Sequence, residues 1–187
     1  MDAGKRMVED RKMTPRFIGF PVTLPIKGEG PAQDVLLYDF GFMDSVGRLH
    51  WCFRGDISDG NSIPGWAKPL VGDPFENPWP AYIHDSDYEH QQWPRDICDL
   101  AFREGLTVCQ APRWKRSVFY RAVRVGGAKP YNDMDPADVA RYDLIPHEIL
   151  NEPSDQYIPP EFRAALTEAR AATACKWSEI ELRDRLA

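Results

Sequence analysis

Prolines at positions 80, 94 and 112 each open a run with no further proline before the next turn signal, which restricts the middle of the chain to three successive helices. The spacing predicts helices over Pro80–His90, Pro94–Val108 and Pro112–Val125, the last stopped by Gly126-Gly127. In the second of them Ile97, Leu100, Ala101 and Glu104 fall on neighbouring turns, with Asp96, Asp99 and Arg103 beside them. The chain before these helices has a different period. Phe17-Ile18-Gly19-Phe20 and Val22-Thr23-Leu24, interrupted by Pro21 and Pro25, suit an edge strand. Val35 to Phe40 and Leu49 to Phe53 flank Asp44-Ser45-Val46-Gly47 and read as a hairpin. The expected fold class is therefore α+β, with an early antiparallel sheet followed by a helical second half and a C-terminal helix extension.

The 187 residues, 43% of them hydrophobic, suffice for one well-buried core. The expected division is a mobile arm over 1–15, a single α+β domain over 16–131, and an extension over 132–187. Met1 to Pro15 is charged and without period, and Lys27 to Pro31 is a turn. The Pro- and Trp-rich stretch from Pro64 to Pro80 suggests short helical turns around Trp66 to Leu70. In the extension we expect a short helix near Pro136–Tyr142, a Pro-rich loop from Pro146 to Pro159, and a last helix from Pro160 to Leu186. That helix carries Phe162, Ala165, Leu166, Ala169, Ala172 and Cys175 on one stripe, to pack on the domain or on a partner, and is expected to be separable from the core. Cys52, Cys98, Cys109 and Cys175 are too scattered for a zinc knuckle and read as free thiols. No apolar run is long enough to span a membrane, so the chain is expected to be soluble. A net charge of −6 argues against a general grip on nucleic acid, though not against a local basic patch.

Short ionisable side chains concentrate in Asp59-Gly60-Asn61-Ser62-Ile63-Pro64 and in His84-Asp85-Ser86-Asp87-Tyr88. Together with Trp66, Gly72, Pro74, Arg95, Asp99 and Ala122-Val123-Arg124-x-Gly126-Gly127, in that order, they resemble the domain of unknown function 1353 family, over roughly Val35 to Tyr131. Members of that family read D-G-A-S-I-P, H-D-x-L-Y and R-x-x-A-D and are common in bacteriophage and prophage genomes. Asn61 stands where Ala is usual. Asp87 replaces an apolar residue, either adding a ligand or facing water. The resemblance implies a phage- or prophage-type protein, in the host cytoplasm or in the virion, and names no reaction.

The chemistry must come from the side chains. Asp59 on a loop, His84 on the first helix and Asp99 on the second offer an N/O ligand set suited to zinc, manganese or iron. His84 and Asp85 point about 100° apart on a helix, so both serve one ion only if the helix end faces it or if one of them acts through a ligand rather than as one. Asp85 as base, Tyr88 as proton donor and Ser62 as nucleophile complete a catalytic set for a small metal-dependent hydrolase. The plainer reading is that Asp59 bonds its own turn, while His84 and Asp99 form a buried network between helices. Arg95 and Asp99 at i, i+4 are then an ordinary helix ion pair, and Ser62 a turn hydroxyl. His90 and His147 lie in hydrophilic stretches and read as solvated. His50 lies in a strand, so His50…His84-Asp85…Asp99 is no match for the HD phosphohydrolases, whose first histidine is on a helix. Two function classes remain: the hydrolase, and a non-enzymatic protein binding a phage structural protein or a host protein complex.

Overall fold

A computed structural model describes residues 13–26, 33–58, 78–133 and 144–173. Most of the arm over 1–15, the Lys27–Pro31 turn, the Asp59–Pro64 loop and the Trp66–Leu70 turns lie outside the described residues. So do the Pro136–Tyr142 helix and the last helix beyond Thr173, with Cys175.

Asp44 builds the turn from which the first sheet grows. Its carboxylate accepts the backbone N–H of Val46 and Arg48 and the Nε–H of Arg48 at 2.7 Å, and Gly47 takes the positive φ of +87° that closes the turn. The six strands in chain order are β1 (Arg16–Ile18), β2 (Thr23–Ile26), β3 (Gln33–Leu36), β4 (Phe40–Met43), β5 (Leu49–Cys52) and β6 (Ile57–Ser58). They form two antiparallel three-stranded sheets, β1-β4-β5 and β2-β3-β6. A hairpin does lead into Leu49–Cys52, but its first arm is β4, with Phe42 opposite His50, and not the expected Val35–Phe40. The run from Val35 to Phe40 is not one strand: it leaves one sheet at Leu36 and enters the other at Phe40. The proline-interrupted segments lie at sheet edges, as Pro25 in β2 requires.

Three helices follow, α1 (Pro78–His90), α2 (Arg95–Val108) and α3 (Arg113–Gly126), within two residues of the expected boundaries. Pro94 and Pro112 sit just outside, with φ near −55° and extended ψ. A short α4 (Ala128–Asp133) follows, then α5 (His147–Leu150), a 3₁₀ turn (Pro160–Phe162) and α6 (Arg163–Thr173). Gly127 at the end of α3 has φ −77°, so it is not there for a left-handed cap. It is needed for space: a Cβ would collide with the Tyr88 hydroxyl of α1.

The described part of the extension completes the core. Ile158 and Leu166 pack with Ile18, Met43, Trp51 and Phe53, while Ile145 packs with Val35, Leu37 and Tyr38. Buried Arg54 donates to the carbonyls of Leu37, Leu150 and Glu152, and Arg170 of α6 pairs with Asp39. The described part of the extension thus packs into the core beside the early sheets, and we propose that it is not separable from them. Leu166→Ala is expected to lower the unfolding free energy by about 2–5 kcal/mol in denaturant melts. A chain ending before Leu144 is expected to lose its single cooperative transition.

Candidate functional site

Helix α1 has no exposed polar face. Ala81, Tyr82, Ile83, His84, Ser86, Asp87, Tyr88 and His90 are all buried, so polar groups around its whole circumference need partners inside the protein. They find them in three histidine–aspartate pairs, each with one member on α1.

The first pair joins α1 to α2. His84 Nε2 donates to Asp99 Oδ1 at 3.0 Å, and the Tyr88 hydroxyl donates to the same oxygen at 2.6 Å. Arg124 of α3 donates to Asp99 Oδ2 at 2.9 Å. Burial raises the Asp99 carboxyl, but hydrogen bonds from His84 and Tyr88 outweigh it and hold the group below its ordinary range. Burial, opposed by its contacts with Asp85 and Asp99, leaves His84 raised. Burial and Asp99 push the Tyr88 phenol up, so its proton is committed to Asp99.

The second pair joins α1 to the first sheet. His50 Nδ1 of β5 donates to Asp87 Oδ2 at 2.6 Å, and its Nε2 lies 3.7 Å from Asp44 Oδ2. Burial alone would lower the His50 pKa, but the charges of Asp87 and Asp44 raise it to about 9. The departure at Asp87 thus neither faces water nor sits at the surface as a ligand. It is the buried counter-ion of His50.

The third pair joins α1 to the turn between β5 and β6. His90 Nε2 donates to Asp56 Oδ1 at 2.9 Å, while Asp56 Oδ2 accepts from Ser86 Oγ and from the Phe53 N–H. Glu89, half-buried, adds a third donor. Ligand atoms of Asp56, Glu89 and His90 all lie within 4.8 Å of one another.

Several expectations change here. His90 is buried rather than solvated, because the turn around Asp56 covers it. Arg95 does not pair with Asp99; its Nη1 donates to the Arg124 carbonyl, and Arg124 takes the ion pair from the neighbouring helix. Of the expected metal ligands, His84 and Asp99 meet, but Asp99 has both oxygens engaged. Asp59 lies outside the described residues, as does Ser62. Asp85 accepts from the Ser58 hydroxyl and stands 3.9 Å from His84 Nδ1, its side chain about a quarter exposed. Asp56 and Glu89 were missed. The three-residue spacing of Ser86, Glu89 and the neighbouring His90 was visible, but nothing in the sequence placed Asp56 against it. Cys52 and Cys98 are buried free thiols, and Cys109 is free and half-buried.

Residues 35–123 match the model of the family described as protein of unknown function, DUF1353. This stretch belongs to that family. No curated protein and no solved structure matches the chain. All three histidine–aspartate pairs lie within the DUF1353 stretch, whereas the segment 144–173 that closes the core lies beyond it.

The His50 pair carries a pH signature. A folded-state pKa near 9, above the ordinary 6.5, gives stability that is complete below pH 6.5 and is lost as pH rises through 9. Unfolding free energies measured from pH 6 to pH 10 are expected to fall by a few kcal/mol across that window. Asp87→Asn, lacking the counter-charge, is expected to flatten the slope. His84→Ala, which strips Asp99 of one of three partners while Tyr88 and Arg124 remain, is expected to cost about 1–3 kcal/mol in the same melts.

Proposed function

We propose that this DUF1353 protein is a metal-dependent hydrolase whose divalent cation is held by Asp56, Glu89 and His90. The observation that supports the reading is the approach of one imidazole and two carboxylates to within 4.8 Å, with Glu89 on the accessible side. Asp56 Oδ1 and His90 Nε2, 2.9 Å apart, would hold the cation together with the Glu89 carboxylate. An imidazole with two carboxylates suits zinc, manganese or iron. A cation held there would supply an acidified water molecule and Lewis-acid polarisation for hydrolysis.

The protein's own groups supply the rest. Asp56 is aimed by the Ser86 hydroxyl and the Phe53 N–H, which occupy its other oxygen and leave Oδ1 turned to the site. A cation would be held by Nε2 of a neutral His90 imidazole, the nitrogen now turned to Asp56, with the ring proton on Nδ1. Asp85, part-exposed beside His84, is the carboxylate available as base on the same helix. In this reading His84 and Asp99 position α1 and do not bind the ion.

A second reading, a non-enzymatic protein that binds a phage structural protein or a host protein complex, is favoured by the saturation of Asp99. Its three donors come from two helices, which is how a purely structural network is completed. The phage setting and a cytoplasmic or virion location belong to the proposal with either reading.

Metal analysis and calorimetric titration with Mn²⁺ and Zn²⁺, on protein purified without a histidine tag, separate the two. The hydrolase reading expects about one ion per chain and at least about tenfold weaker binding in Glu89→Gln, with thermal stability nearly unchanged. No uptake, or uptake lost in His84→Ala and retained in Glu89→Gln, rejects the site.

A further inference from the structure

The acidic net charge hides a separation of charge along the chain. From Gly105 to Asn132 there is no Asp or Glu, while Arg113, Lys115, Arg116, Arg121, Arg124 and Lys129 all fall in this stretch, although the whole chain carries −6. Helix α3 sorts these residues by face. Phe119 and Ala122 are buried with Lys115, and Arg124 is engaged with Asp99. Arg113, Trp114, Ser117, Arg121 and Val125 form the exposed face, at the i, i+4, i+8 and i, i+3, i+7, i+11 spacings that place them on one side of a helix. Trp114 is 54% exposed. Beside this face, Arg103 of α2 lies over the Tyr120 ring at 5.2 Å, and Arg116 donates to Thr107 at 2.7 Å. Among the described residues no carboxylate pairs with Arg103, Arg113, Arg116 or Arg121.

We infer that the outer face of α3, with the adjoining edge of α2, binds single-stranded nucleic acid. Two features select that partner. Guanidinium groups with no carboxylate partner among the described residues follow the helix axis, with Arg113 and Arg121 about 12 Å apart over two turns, so they can meet phosphates about two nucleotides apart on one strand. Trp114 and Tyr120 are set among them, and an aromatic face between cations is what stacks an unpaired base. A duplex keeps its base faces stacked, out of reach of a convex helix surface. Burying Trp114 against a base also removes apolar surface that the fold itself leaves uncovered. This inference is independent of the metal reading: none of the residues involved is Asp56, Glu89 or His90.

The test is fluorescence anisotropy of the full chain with a labelled twenty-nucleotide oligo-dT and oligo-U, across a series of salt concentrations, with duplex DNA and heparin as competitors. Saturable binding to the single strands is expected, weakening as salt rises. Arg113→Glu with Arg121→Glu is expected to weaken binding at least about tenfold and to reduce the salt slope by about two. Trp114→Ala is expected to weaken binding to oligonucleotide about five- to tenfold while leaving heparin competition of the wild-type complex as the reference for charge alone. These side chains are exposed, so melting temperatures of both variants should stay near that of the wild type. Absence of binding at low salt overturns the inference, as does equal affinity for duplex or heparin, or oligonucleotide affinity unchanged by either variant.

Discussion

The hydrogen bond between an imidazole and a buried carboxylate, made three times along α1, is what the rest of the structure depends on. The helix packs against the first sheet, against α2 and against the β5–β6 turn, and each contact contains one such pair. A helix with one polar and one apolar side is oriented by the hydrophobic effect alone. α1 lacks that asymmetry, because its buried residues include Ile83 and Tyr82 as well as His84, Asp87 and His90. Rotation about its axis would leave several charges buried and unpaired at about 3–5 kcal/mol each. The pairs therefore set the rotation and axial position of α1, even where an apolar replacement of both partners would be as stable.

The same logic explains the edge of the first sheet. β5 is an outer strand, and its free backbone groups are covered from the end of α1: Gln92 accepts from the Trp51 N–H and donates to the Trp51 carbonyl, and Trp93 donates to the Leu49 carbonyl. Ser86 adds a further donor to Trp51. Side chains stand where another strand would, which protects an edge otherwise open to pairing. At the centre of that sheet the close approach of Trp51 requires Gly41, since a Cβ there would lie 2.6 Å from the indole. The pairing of α1 with β5 and the packing of Trp51 are thus one arrangement seen from two sides.

The local features of this fold could be read from the sequence, and the partners across it could not. Pro94, Pro112 and Gly126-Gly127 act through their own backbones, so the helix limits were predictable. The Asp44–Gly47 turn is equally local. His84 with Asp99 was accessible because consecutive helices must lie together, making a contact over fifteen residues an expected one. Arg124, rather than Arg95, reaches Asp99 because α3 folds back along α2, and i, i+4 spacing carries no information about that. Asp56 and His90 are thirty-four residues apart on different kinds of element, joined only by the way the sheet edge meets α1. His90 looked solvated for the same reason: its neighbours in sequence are polar, and its neighbours in space are Phe53 and Asp56.

Charge is organised in opposite ways inside and outside this protein. Inside, every buried histidine among the described residues meets an acid, and these pairs form the network around α1. On the outer face of α3, Arg113 and Arg121 meet no carboxylate among the described residues. Four cationic side chains held within two turns and an adjacent helix repel one another by up to about 1 kcal/mol per close pair in water, a cost the fold could remove by placing one Glu at Ser117 or Val125. Packing gives no reason against that substitution, because Val125 is 81% exposed and Ser117 bonds only within its own helix. A face that keeps its positive charge where neutralising it would be easy, and keeps a tryptophan open among the charges, is organised for something that arrives from solution carrying phosphate and a base.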